Sequence, residues 1–223
     1  MGRKKYVIIV AGGSGTRMGS QTPKQFLELG GRTVLQRTLE KFIEAVPDIN
    51  VITVLPSAHI DTWKEICSRG SLYYPQILVP GGITRFHSVK NALAKVPAGA
   101  VVAIHDGVRP LLSVDMIRSM FSKMESCRAL IPVVPAVDTL RSTDPSVPDP
   151  DRQKTVCVQT PQIFLSEDIK DAYDQAFDVS FTDDASVAAR KNIPLSFADG
   201  ERLNFKITTL EDLRLAEAVL SLR

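Results

Sequence analysis

Tyr6-Val7-Ile8-Ile9-Val10 runs directly into Ala11-Gly12-Gly13-Ser14-Gly15-Thr16-Arg17-Met18-Gly19, and Pro23-Lys24-Gln25 follows. A short continuous apolar run reads as a parallel strand buried on both faces. A glycine-rich turn straight after it reads as the βα loop of an open sheet. Successive backbone N–H groups in such a loop form a concavity for an anion. Arg17 adds a planar fork for phosphate oxygens, and Lys24 adds a compact point charge. The loop lacks the Gly-Lys-Ser/Thr of a Walker A loop. Met18 stands where a dinucleotide fingerprint needs a third small residue.

Working outward, strand-like and helix-like segments alternate. Val51–Leu55, Ile77–Val79, Val101–Ile104 and Leu130–Val134 read as strands. Val34–Val46, Ala58–Arg69, Thr84–Val96, Val114–Met124, Glu167–Phe177, Asp183–Lys191 and Leu210–Leu222 read as helices from their apolar spacing and end signals. This βαβ alternation predicts one α/β domain over 1–223, with a mostly parallel, Rossmann-like sheet covered by helices on both faces. Ligands of such sheets bind beyond the carboxyl ends of the strands, where the loops after Val10 and Ile104 lie. Thr139–Cys157 breaks the pattern. It is polar, carries Pro145, Pro148 and Pro150, and is long for a loop in a compact domain. It reads equally as a disordered excursion or as a protruding arm, near 140–158, that packs on a partner subunit.

The 223 residues carry a net charge of +2 and no lysine/arginine block, which argues against nucleic acid. The apolar run near the N-terminus is too short for a signal-peptide core or a membrane span. Cys67, Cys127 and Cys157 have no metal or disulfide spacing and read as reduced thiols, placing the chain in the cytoplasm. His59, His87 and His105 have no metal spacing either.

Asp106 closes an apolar strand, where a buried carboxylate needs a partner. It could hold Mg2+ together with phosphate oxygens, or cap the following turn and pair with Arg109. Gly81 and Gly82 lack a Cβ and let a flat base lie close, with Ser88 available to its edge; they read equally as a helix-entry turn. Thr182 reads as an N-cap with two acids behind it.

Ala11-Gly12-Gly13-x-Gly15-x-Arg17-Met18 followed by Pro23-Lys24-Gln25 resembles the opening signature of the cytidylyltransferases that make cytidine-diphosphate alcohols, and most of all the methylerythritol-phosphate cytidylyltransferase family of the non-mevalonate isoprenoid pathway. Gly81-Gly82 with Arg85 and Ser88, His105-Asp106-Gly107-Val108-Arg109-Pro110, Val137-Asp138-Thr139, Thr160-Pro161-Gln162, Thr182-Asp183-Asp184-Ala185-Ser186 and Asn204-Phe205-Lys206-Ile207-Thr208 follow in family order. Gly107 stands where alanine is usual in that family, and Phe205 where isoleucine is.

The resemblance implies transfer of CMP from CTP to a polyol phosphate with loss of pyrophosphate. It implies catalytic roles for Arg17, Lys24, Arg152 and Lys206. The nucleotide falls to Ala11, Gly12, Gly13, Gly15, Gly81, Gly82, Ser88 and Asp106. The second substrate falls to Asp106, Arg109, Thr139, Arg152 and Lys206. It further implies Mg2+ or another divalent cation at Asp106, and a homodimer in which the arm carries Arg152 to the neighbouring subunit's site. Three other readings compete: a pentitol-phosphate (ribitol 5-phosphate) cytidylyltransferase, a glycosyltransferase using Asp149-x-Asp151, and a silent nucleotide-binding protein.

Overall fold

The structure is a computed structural model that describes residues 2–13, 22–69 and 74–222. Its first strand, β1 (Lys5–Val10), is followed by a small hairpin of β2 (Glu28–Leu29) and β3 (Arg32–Thr33). Then come α1 (Val34–Ala45), β4 (Asn50–Leu55), α2 (Ile60–Arg69), β5 (Gln76–Pro80), α3 (Arg85–Leu93), β6 (Val101–Asp106), α4 (Val114–Lys123) and β7 (Ala129–Pro135). The last part holds β8 (Val156–Val158), β9 (Gln162–Leu165), α5 (Ser166–Tyr173), α6 (Asp184–Arg190), β10 (Ser196–Asp199) and α7 (Leu210–Ser221).

The main sheet has the order β10-β7-β9-β6-β1-β4-β5, with β8 pairing to β7 off that path. β1 lies in the middle, parallel to β4 and β6, with Val10 opposite both Val54 and Asp106. The end of β1 and the end of β6 therefore stand side by side, and their two loops share one edge of the sheet. β9 runs antiparallel between β6 and β7. β8 is likewise antiparallel to β7, and these two reversals make the sheet mixed.

The pleat divides the core. Val7 and Ile9 point to the face covered by Leu35, Leu39 and Phe42 of α1, Trp63 of α2 and Ile117 and Met120 of α4. Tyr6 and Ile8 point to the other face, under Phe86 and Val89 of α3, Ile169 and Tyr173 of α5 and Val187 of α6. A strand that is apolar at every position is what a sheet covered on both faces requires. Thr33 and Gln36 form a capping box on α1. On α6 the cap is Asp183, paired with Ser186, and not Thr182 as read from the sequence; the Thr182 N–H donates to the Ser186 hydroxyl instead.

The alternation expected from the sequence is present, with helices on both faces. Four features were not foreseen. The β2–β3 hairpin turns on Gly30 and Gly31, both with positive φ (56° and 77°), as a two-residue primed turn demands. β8, β9 and β10 are short, and a run of four residues has too little periodicity to declare itself.

The polar segment leaves β7 at Pro135 and returns through β8, whose Val156 and Val158 pair with Pro135 and Val133. Between them the arm is exposed and organised by its own contacts. Asp149 accepts from Arg141 and from the Ser142 N–H, Asp144 accepts from Ser146, and Arg152 donates to the Val137 carbonyl at 3.2 Å. Asp151 caps a 3₁₀ turn at Arg152–Lys154. The two aspartates of Asp149-x-Asp151 are thus both used inside the arm.

No helix among the described residues is long and apolar enough to cross a membrane. Cys67 and Cys127 are half-buried and Cys157 is exposed, all as free thiols. Phe42 is fully buried, its ring 5.0 Å from that of His105 beneath the end of β6. Phe42→Ala removes that packing and leaves a cavity, so urea denaturation is expected to show a loss of about 3–5 kcal/mol of stability.

Candidate active site

The glycine loop is fixed at its start from two sides. The Ala11 N–H donates to the Val54 carbonyl, and Gln25 Nε2 donates to the Ala11 carbonyl at 3.0 Å. Gln25 belongs to a 3₁₀ turn, Lys24–Phe26, that folds back over the loop. Lys24 is buried in this turn, and a Cβ on Gly13 would lie 3.4 Å from its Cε. The lysine stem thus lies in contact range of Gly13.

On the other side, the Gly81 N–H donates to the Leu55 carbonyl. The Ser88 hydroxyl accepts from the Gly82 N–H at 3.0 Å and donates to the Thr84 carbonyl at 2.9 Å. A Cβ on Gly82 would stand 2.4 Å from His87 Cβ, so no larger residue fits without moving backbone. Between the two glycine segments lies a cavity of about 290 Å3. It is lined by Ala11, Gly12, Gly13, Lys24, Gly82, Ser88, Asp106 and Lys206, among others. A second cavity, also about 290 Å3, adjoins it and includes Arg109, Thr160, Gln162, Thr182 and Asp183. Arg85, Asp106 and Lys206 line both. A larger hollow of about 460 Å3 lies at the opposite ends of β4 and β5, beside Asp48 and Tyr74; no cation is among its lining residues.

Asp106 is the centre of the junction. It is buried, and three cations converge on it: Lys206 Nζ at 3.1 Å, Arg109 Nε at 3.2 Å and Arg85 Nε at 3.7 Å. Burial alone would raise its pKa. Arg85, Lys206 and Arg109 together outweigh that and hold the carboxyl well below the usual range, so it is ionised. Arg85 is itself clamped by Asp184, with Nη1–Oδ1 at 2.8 Å and Nη2–Oδ2 at 2.7 Å.

His105 supports the junction from behind. Its Nε2 faces the Arg109 carbonyl at 3.2 Å, and a carbonyl only accepts, so Nε2 carries the proton. Nδ1 then accepts from the Thr160 hydroxyl at 2.9 Å, whose oxygen accepts from the Asp106 N–H. Burial pushes the imidazole pKa down to about 3, leaving His105 neutral.

Lys206 is brought in by a backbone tie. The Ile207 N–H donates to the Val108 carbonyl, and Arg109 Nη1 donates to the Asn204 carbonyl at 2.8 Å. Asn204 is fully buried and donates to the Thr160 carbonyl at 2.8 Å. Ion pair and ladder together join the 204–208 stretch to the turn after β6.

The junction thus gathers Ala11, Gly12, Gly13, Lys24, Gly81, Gly82, Ser88, Asp106, Arg109 and Lys206 at one edge of the sheet. Gly15 and Arg17 lie outside the described residues. Thr139 and Arg152 lie on the exposed arm and line neither cavity. The sequence reading gave no role of their own to Arg85, Asp184, Thr160 and Asn204. Their partners are far away in the chain, and the motif letters alone carry no sign of who meets whom. Gly107 sits in a tight floor, where a Cβ would meet Leu35, Ala11 and Ile9 at 3.0–3.2 Å. A Cβ there would require these side chains to give by a few tenths of an ångström.

The arrangement suits a reaction between two anions, one in each cavity, across a fixed set of cations. A family model, 2-C-methyl-D-erythritol 4-phosphate cytidylyltransferase, matches residues 6–222. A relative of that name from Bacteroides thetaiotaomicron is 47% identical over 218 residues, covering 97% of this chain and 100% of its own. One from Porphyromonas gingivalis is 43% identical over 99% of this chain and 100% of its own. The solved structure of 4-diphosphocytidyl-2C-methyl-D-erythritol synthase from Anaerococcus prevotii superposes with a TM-score of 0.83 at 29% identity, covering 98% of this chain and 96% of that one. That of the 2-C-methyl-D-erythritol 4-phosphate cytidylyltransferase from Francisella tularensis gives 0.79 at 30%, covering 96% and 99%. With its glycine loop, its doubly lined junction and a match along nearly its whole length, the chain belongs to the 2-C-methyl-D-erythritol 4-phosphate cytidylyltransferase family.

Proposed function

We propose that this enzyme transfers CMP from CTP to 2-C-methyl-D-erythritol 4-phosphate, giving 4-diphosphocytidyl-2-C-methyl-D-erythritol and pyrophosphate. The observation that carries the reading is the pair of cavities meeting at Asp106, one walled by glycine backbone and Lys24, the other by Arg109. CTP takes the first, with its base against Gly81 and Gly82 and its triphosphate on the loop. The polyol phosphate takes the second. A phosphate oxygen of the polyol forms a bond to the α-phosphorus, and the bond from that phosphorus to the pyrophosphate oxygen breaks in line with it. The nucleophile is already an anion at neutral pH, so no general base is needed. The neutral His105, with both ring nitrogens engaged, is free of that task.

The obstacle is repulsion between two anions and the charge that gathers at phosphorus. Fixed cations answer both. Lys24 and Arg17 serve the triphosphate, while Arg109 and Lys206 draw in and align the attacking phosphate. Among the described residues no group of three His, Cys, Asp or Glu side chains stands ready to cage a metal. One hard carboxylate oxygen at Asp106 fits Mg2+ that arrives with the triphosphate, since that ion takes one or two carboxylates and completes its shell with phosphate and water. Bound there, it would withdraw charge from phosphate oxygens as a Lewis acid. Arg152 and Thr139 complete the second cavity of a neighbouring copy, the arm reaching across a homodimer. We place the reaction in the cytoplasm, in keeping with three unpaired thiols.

Mixing the protein with CTP and a panel of polyol phosphates should release pyrophosphate with 2-C-methyl-D-erythritol 4-phosphate; a preference for ribitol 5-phosphate would reassign the substrate, and no release with any would remove the enzyme reading. Lys24→Ala is expected to lower kcat about 10²–10³-fold, as loss of one transition-state donor does; steady-state kinetics at saturating CTP checks this. Lys24→Ala and Arg152→Ala, each nearly inactive alone, should regain about a quarter of wild-type activity after mixing and subunit exchange, because half the random dimers then hold one intact site. Absence of recovery would place Arg152 outside its neighbour's site.

A further inference from the structure

Arg85, Asp106 and Lys206 face both cavities, yet only Arg85 has no part in the chemistry above. Its surroundings set it apart. Both terminal nitrogens are committed to Asp184, at 2.8 and 2.7 Å. Asp184 is completely buried, and its Oδ1 also accepts the Tyr173 hydroxyl at 2.6 Å. Tyr173 is buried too, its ring stacked on Phe86 with 4.7 Å between centroids and 24° between planes. A bidentate fork fixes the plane of a guanidinium as well as its position. The edge left facing the junction is Nε, 3.7 Å from Asp106 Oδ1.

We propose that Asp184 and Tyr173 are positioning residues for the transfer: they lock Arg85 in one orientation, so that its Nε edge steadies the Asp106 carboxylate, and with it Lys206, between the two bound phosphates. The proposal rests on the cytidylyltransferase reading and deepens it. A tie between α3 and α6 would by itself need only the Arg85–Asp184 fork. It would not need the third edge of the guanidinium turned to a carboxylate at the centre of the site.

The test compares the full-length Asp184→Asn and Tyr173→Phe enzymes with Ile117→Ala, a fully buried α4 residue on the opposite face of the sheet, as a control for lost stability. Misplaced supporting groups typically cost about 10- to 100-fold, so kcat should fall by that much in Asp184→Asn and by less in Tyr173→Phe. KM for both substrates should stay within about twofold. Ile117→Ala should keep the wild-type kcat per folded enzyme. In 15N spectra, the separate Nη signals of a clamped Arg85 should be present in the wild type and merge in Asp184→Asn. Should Asp184→Asn fail to fold, Tyr173→Phe carries the same kinetic readout. If both variants match the Ile117→Ala control in kcat, or if only KM moves, the proposal is overturned. Failure of the functional reading looks different: the wild-type enzyme itself then releases no pyrophosphate.

Discussion

One carboxylate among three cations governs this molecule. Asp106 is buried at the end of the central pair of strands, where an isolated charge would be too costly to keep. Lys206, Arg109 and Arg85 make it tolerable, and each comes from a different part of the chain. The requirement runs in both directions. The carboxylate keeps the cations from drifting into solvent, and the cations keep the carboxylate charged. The turn after β6, the entry to α3 and the stretch before α7 are thereby held to one another by charge as well as by backbone.

Around that centre the packing is conventional and the polar network is not. The two faces of the sheet are filled by aliphatic and aromatic side chains from α1, α2 and α4 below and α3, α5 and α6 above. At the carboxyl edge, buried polar side chains take over. His105, Thr160, Gln162 and Asn204 are nearly or wholly shielded from water, and each makes hydrogen bonds there. Asn204 Oδ1 is left without a hydrogen-bond partner, but the remaining bonds tie these side chains to one arrangement. Here the arrangement they specify is the spacing between two anion sites.

Much of this was legible in the sequence. Val7–Val10 and Val101–Ile104 announce themselves as buried strands because every position is apolar, and the glycines after Val10 read equally as a tight βα turn or as a close approach of backbone to an anion. Asp106 and Arg109, three residues apart, could be paired in advance. What could not be read is anything set by distant meetings. Arg85 meets Asp184 ninety-nine positions later, and Arg109 meets the carbonyl of Asn204 ninety-five later. Neither pair shares a local pattern. β9 was missed for a related reason: four residues of Gln-Ile-Phe-Leu say little until β6 and β7 are in place on either side.

The inserted strand has a consequence for how the protein is made. β6 is complete at Asp106, but the neighbour on its outer edge is Gln162–Leu165, far downstream. While the chain leaves the ribosome, that edge presents unpaired N–H and C=O groups along the apolar run Val101–Ile104, the kind of surface that recruits foreign strands. The same late arrival delivers Thr160 to His105 and Asp106. The nascent protein therefore covers this edge before it has a finished active site, because Asp184 and Lys206 lie further downstream.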